Sequence, residues 1–310
     1  MKYTDNALNI LLALDCKGIG PAWINKNIGT NLDIRTLWEK LRSFTKDIDL
    51  SFELFCQKRD CLEQLLEADD IADGVVAMGD NDFPIISDSV KYGERPVVLF
   101  YRGDISLIHT IDNNVAVIGV LNPERDIEER ERAFVKVLVS NGINIVSGLA
   151  KGCDSIAHNQ ALDSNGKTIA ILPGTLRNII PVENKDLSDE IVSKYGLLVT
   201  EYYKDVSSKK ELVDRYVKRD RLQAMFSKAV CLAASYAPNN QGNDSGSRHA
   251  MGKAKEYNVQ RYVMYNRDTD CMNAQFDLNR DLLKDPSVRV LSTKSITEIC
   301  DRITMKSTLF

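Results

Sequence analysis

The sequence predicts an α/β protein with a mostly parallel, doubly wound sheet, preceded by a small all-helical domain over residues 1–72. From about residue 74 onward, short apolar runs of strand length alternate with longer helical patterns, as in a parallel sheet covered on both faces. Residues 143–174 read strand, glycine turn, helix, glycine turn, strand, which is one βαβ unit. The segment before residue 70 shows only helical spacing of its apolar residues.

In chain order, Ala7, Leu8, Leu11, Leu12 and Leu14 form the apolar face of a first helix, and Trp23, Ile24 and Ile28 begin a second. The turn between them, Lys17-Gly-Ile-Gly-Pro21, has the form of a helix-hairpin-helix unit, whose amides hold a DNA phosphate. A plain connection with glycines at the cap is the simpler reading. Trp38, Leu41, Phe52, Phe55, Leu62 and Leu66 continue a helical core. Strands are expected at 75–78, 96–101, 114–119, 143–146, 168–172, 197–201, 229–234, 260–264 and 288–291. Between them, helices are expected at 126–140, 154–162, 216–227 and 247–257, with a last one at 294–303.

The chain of 310 residues is long enough to bury a large core. With 44% hydrophobic and 27% charged residues it is globular rather than disordered. No apolar run reaches the roughly 18 residues of a membrane helix. The start, Met1-Lys-Tyr-Thr-Asp-Asn, leads to no small-residue cleavage site, so a cytoplasmic location is expected. Seven cysteines without a CxxC pair fit reduced, structural thiols and no metal centre. A net charge of −4, from 40 basic and 44 acidic residues, argues against a wholly basic nucleic-acid coat but leaves room for a local basic groove.

Ligands of a parallel sheet bind at the carboxyl ends of its strands. At such an end lies Ser147-Gly-Leu-Ala-Lys-Gly152. There Gly148 and Gly152 let the backbone approach a ligand, Ser147 adds a hydroxyl, Lys151 adds a charge, and the amides opening the next helix attract anions. A phosphate-bearing ligand is expected. Gly242-Asn-Asp-Ser-Gly-Ser247 places Ser245, Gly246 and Ser247 on the same sheet edge. Either loop alone fits an ordinary serine-capped turn, but the pair favours a shared anion. Residues 209–221 carry Lys209, Lys210, Arg215, Lys218, Arg219 and Arg221 against Glu211, Asp214 and Asp220. Lys218 with Arg221, and Arg215 with Arg219, permit a basic stripe, although mixed charge is also how a solvated helix face reads. Asp154 and His158 share a helix face; a cap and a satisfied buried imidazole are favoured over an acid–base or metal pair for want of a third ligand. Residues 161–168 fit [AG]xxxxGK[ST], but a helix ends and a strand begins there, the reverse of a phosphate loop. After the first core strand, Gly119-Val-Leu-Asn-Pro-Glu124 lacks GxGxxG, which argues against a dehydrogenase.

These motifs, in this order, resemble the DprA/Smf family of bacterial DNA-processing proteins. Residues 147–158 are similar to its SGxAxGxDxxAH signature, Ile180-Pro-Val-Glu-Asn184 to its YPxEN turn and Thr200-Glu-Tyr202 to its SEY. Lys218-Arg-Asp-Arg221 falls at its RNR run and Ser245-Gly-Ser247 at its SGS turn. The resemblance implies an extended Rossmann-like core, here residues 73–310, that binds single-stranded DNA and forms a homodimer. It further implies delivery of DNA to a RecA-type recombinase in natural transformation, without catalysis or cofactor. Ser147, Gly148, Lys151 and Gly152 would contact phosphate, Lys218, Arg219, Arg221 and Ser245 to Ser247 would line the same pocket, and Asp154 and His158 would brace it. The sequence departs from the family at Val120-Leu121, where a Ser-Arg pair is usual, and at Asp220 in place of asparagine. Two rival functions stay open. One is a nucleotide-sensing module on the same fold, favoured by the missing Ser-Arg pair. The other is an N-glycoside hydrolase acting on nucleotides, against which residues 172–177 lack the second glycine and the glutamate of PGGxGTxxE.

Overall fold

The computed structural model describes residues 1–28, 32–45, 50–239, 246–292 and 295–299. Its strands are β1 (Gly74–Ala77), β2 (Val98–Gly103), β3 (Asn114–Ile118), β4 (Asn144–Ser147), β5 (Thr168–Ile171), β6 (Leu197–Thr200), β7 (Ala229–Leu232), β8 (Gln260–Val263) and β9 (Val288–Val290). They form one sheet in the order β1-β2-β6-β5-β4-β3-β7-β8-β9. From β6 to β9 every pairing is parallel, whereas β1 with β2 and β2 with β6 are antiparallel. The mostly parallel, doubly wound sheet is as the sequence predicts. All five residues of β3 are buried, and Val115 to Ile118 are the continuous apolar run of a strand covered on both faces.

The helices are α1 (Asp5–Leu14), α2 (Pro21–Asn27), α3 (Ile34–Arg42), α4 (Phe52–Glu67), α5 (Ser106–His109), α6 (Arg125–Ser140), α7 (Cys153–Asp163), α8 (Lys185–Ser193), α9 (Lys209–Met225), α10 (Ser247–Glu256), α11 (Arg267–Asp270) and α12 (Asp277–Leu282). Alternation along the strands sends Val115 and Val117 into a cluster with α6 and α7, and Ala116 and Ile118 into another with α9 and α10. The N-terminal helices do not close a core of their own. Leu8, Leu11, Leu37, Phe55 and Leu66 join Val75, Ala77, Val98 and Phe100 in one cluster, and Lys2 pairs with Gly74 beside β1.

Two helical expectations need correction. Helix α9 starts at Lys209 rather than near residue 216, because Ser208 caps it through Glu211 N–H while Val213 and Val217 stay exposed and hide the apolar period. Helix α8 was not foreseen; its apolar signal is only Leu187 and Ile191. The expected final helix is seen at residues 295–299; its remaining residues, 294 and 300–303, lie outside the described ones. Gly166 ends the turn after α7, its N–H bonded to Ala161 O at 2.8 Å, so the phosphate-loop match is a helix terminus. Among the described residues no helix is long and apolar enough to cross a membrane, and the six cysteines form no disulfide.

Candidate functional site

The chain runs from β3 outward through β4, β5 and β6, then returns to the other side of β3 for β7 and β8. Loops leaving β3 and β7 therefore diverge, opening the crevice where such sheets bind ligands. A cavity of about 360 Å³ lies there. Its walls are Ile118 at the end of β3 with Gly119 and Leu121 after it, Ala150, Lys151 and Asp154 after β4, Pro181, one face of α9, and Gly246 with Ser247 opening α10. The loop after β4 and Gly246 with Ser247 thus share one rim, and Ser247 Oγ donates to Gly119 O at 3.1 Å. A larger cavity, about 710 Å³, sits at the opposite ends of β7 and β8. Its cations are paired: Lys228 with Asp112 (2.8 Å), and Lys255 and Arg261 with Asp285 (2.8 and 2.9 Å).

Two amides of the loop after β4 are turned inward, onto the loop's own aspartate. Asp154 is buried, and its carboxylate accepts from Gly148 N–H at 3.1 Å and Ala150 N–H at 3.3 Å. Ser147 is fully buried, and its hydroxyl donates to Val117 O at 2.7 Å. The loop is filled by its own carboxylate, so Ser147 and the Gly148 amide are internal supports. Gly148 serves another purpose: a Cβ there would lie 1.3 Å from Arg219 Nη1. Gly152 has φ +72°, and a Cβ would meet Val120 O at 2.3 Å. The turn at residues 180–184 clamps this loop from outside. Asn184 donates to Leu149 O (2.8 Å) and Ala150 O (3.1 Å), and Glu183 pairs with Lys151 at 2.5 Å.

Helix α9 brings Tyr216, Arg219, Asp220 and Gln223 to the cavity, a stripe at i, i+3, i+4 and i+7. Arg219 is its buried centre, 3.6 Å from Asp154 Oδ2 and 3.5 Å from Asp220 Oδ1. With its carbonyl turned towards these donors, Gln223 accepts from Arg219 Nη1 at 2.7 Å and from Gly148 N–H at 3.1 Å. Burial pushes the Asp220 carboxyl up to about 7, with Arg219 opposing and Asp154 adding to the rise. Burial also raises Asp154 against the pull of Arg219. His158 is driven down to about 3 by burial and then by Arg219, so its ring is neutral. Thr168 Oγ1 donates to Ile145 O at 2.8 Å, which makes His158 Nδ1–H the donor to Thr168 at 2.7 Å. The imidazole ties α7 to β4 and β5.

Two expected ligand residues of α9 do not line the cavity. Lys218 is exposed but sits two residues from Tyr216, hence on the other side of the helix. Arg221 is bound by both oxygens of Glu201 at 2.7 Å, and its Nε donates to Glu94 O at 2.8 Å, joining α9 to the end of β6. Ser245 lies outside the described residues. Conversely, Tyr216, Gln223, Leu121 and Pro181 line the cavity without having been expected. The first two were readable from the α9 stripe; Leu121 and Pro181 arrive only by folding. Replacing Arg221 with Met is expected to lower the melting temperature by several degrees, because Glu201 is left half-desolvated and unpaired, while ligand affinity stays within about twofold. Differential scanning fluorimetry beside a binding titration checks both. Among the described residues, no group of three or more His, Cys, Asp or Glu could hold a metal ion.

A sequence model of the family described as DNA recombination-mediator protein A matches residues 74–301. The chain belongs to that family. Protein Smf of Escherichia coli (strain K12) is 33% identical over 163 residues, covering 53% of this chain and 42% of Smf. The X-ray structure of DNA processing protein A from Streptococcus pneumoniae matches the fold with a TM-score of 0.71, over 96% of this chain and 97% of that one, at 21% identity. The same family protein from Helicobacter pylori, whose structure is described for its single-stranded DNA binding mode, has a TM-score of 0.59, covering 75% of this chain and 96% of that one at 26% identity. The chain spans about half or less of the length of the curated relatives it matches. The family and the extended Rossmann-like fold are those the motifs implied.

Proposed function

We propose that this chain binds single-stranded DNA in DNA processing, without catalysis of its own, seating one base in the cavity at the β3–β7 switch point and the adjoining backbone at its mouth. The observation that supports this reading is the make-up of the cavity. One guanidinium, Arg219, stands at its centre, apolar and aromatic walls come from Leu121, Pro181 and Tyr216, and Lys151 lies at the rim. Flipped bases are held by such walls and by hydrogen bonds to their edges. Because the Gly148 and Ala150 amides are taken by Asp154 while Lys218 and Arg221 face elsewhere, few phosphates are neutralised. Cytoplasmic action, homodimerisation and transfer of the strand to a RecA-type recombinase are further parts of the proposal, taken from the family resemblance.

The expected result is retention of a mixed-sequence oligonucleotide in fluorescence anisotropy, with a shallow salt dependence of one or two counterions. Lys151→Ala should flatten the slope by about 0.7. A steep slope, or one unchanged by Lys151→Ala, would place the backbone elsewhere. The same scarcity of backbone contacts favours one alternative, a module that senses a free mononucleotide. That alternative gains if a nucleoside monophosphate binds while the oligonucleotide does not.

A further inference from the structure

We propose that Asp220 is the specificity-determining residue of this cavity, its free carboxylate oxygen accepting a hydrogen bond from the exocyclic amino group of the seated base, so that adenine, cytosine and guanine are bound in preference to thymine. The proposal rests on the reading that a base of single-stranded DNA enters the cavity. Asp220 lines that space, yet its side chain is only 6% exposed. Among the described residues its Oδ2 has no hydrogen-bond partner, and its Oδ1 has only an ion-pair contact with Arg219 Nε, at 3.5 Å. An ionised carboxylate offers about four acceptor sites, and leaving them empty in a buried place is costly. Asp154, one helix away, is by contrast filled by two amides and Arg219. Gly246 packs against Asp220: a Cβ there would lie 2.6 Å from Oδ2. The oxygen therefore lacks a donor among the described residues, on a side chain that lines the cavity.

The chemistry of the donor follows. Arg219 beside it supplies only donors, so the cavity shows a base one donor and one acceptor side by side. Adenine N6, cytosine N4 and guanine N2 each bring an amino donor to a carboxylate. Thymine brings none: its single ring N–H lies between two carbonyl oxygens, which repel a carboxylate. Burial holds the Asp220 carboxyl near neutrality until a donor arrives, and the charged groups facing it among the described residues are Arg219 from its own helix and Asp154 from α7.

The experiment is anisotropy on an abasic oligonucleotide carrying one A, C, G or T. The three amino bases are expected to bind about tenfold more tightly than T. In Asp220→Asn, whose amide both donates and accepts, that ratio should fall to about one while binding persists. Thymine bound as well as the others by the unaltered protein, or a ratio unchanged in Asp220→Asn, overturns the proposal alone. Binding of none of the four overturns the single-stranded DNA reading and the proposal with it. Should Asp220→Asn fail to fold, calorimetry of the unaltered protein at pH 7 in two buffers decides. Proton release on binding an amino base and not on binding T supports the proposal, and equal release contradicts it.

Discussion

Asp154→Ala is expected to lower the melting temperature by roughly 10 °C and to abolish ligand retention. The carboxylate is buried, accepts two backbone amides and stands 3.6 Å from the buried Arg219 guanidinium. Removing it leaves that cation without its carboxylate partner in α7, a loss of about 3–5 kcal/mol for a broken buried pair. The Ala150 amide, left without an acceptor, adds about 1–3 kcal/mol, while the Gly148 amide keeps Gln223. At a few degrees per kcal/mol for a chain of this size, the loss is easily read in a thermal melt. Asp154→Asn keeps an acceptor for the amides and should fall between the two. A melting curve of Asp154→Ala that overlays the unaltered protein would show that the loop amides find other partners and that Asp154 does not hold the site together.

Gly148→Ala should be nearly as damaging, for a reason that differs from the usual one for glycine in a phosphate loop. The backbone at 148 is not in the left-handed region, so an alanine is not strained by φ. The new Cβ would instead occupy the place of Arg219 Nη1, at 1.3 Å, and the guanidinium would have to leave Asp154 and Gln223. The expected cost is about 3–5 kcal/mol with loss of ligand binding. A double-mutant cycle tests the cause. Once Arg219→Ala has emptied the space, adding Gly148→Ala should cost little, because groups sharing one contact are not additive. Chemical denaturation of the four proteins gives the coupling, and strictly additive losses would mean that Gly148 matters for something other than Arg219.

These two residues also show where reading the sequence stops. Gly148 and Asp154 stand out as members of a small-residue loop at a strand end, and both belong to the site. The glycine admits an arginine from another element rather than a ligand, and the aspartate, expected as a brace, occupies two amides that a ligand was expected to take. Arg221 shows the same limit. Its position in a basic run pointed to phosphate, but Glu201, twenty residues earlier at the end of β6, claims its whole fork. Asp220 was visible as a negative charge inside that run, yet its burial and its unpartnered oxygen depend on Gly246 and α10.

Periodicity, glycine placement and the order of motifs by themselves determined the strand–helix alternation, the parallel sheet, the family and the rim on which the site lies. Those properties rest on contacts between near neighbours in the chain and on which faces must be buried. The tertiary structure alone decided which charges face the cavity and which are spent on one another, because an ion pair is set by the distance between side chains on separate elements. Only the packing of α9 between the β4 loop and α10 leaves Arg219 and Asp220 inside and turns Lys218 and Arg221 away.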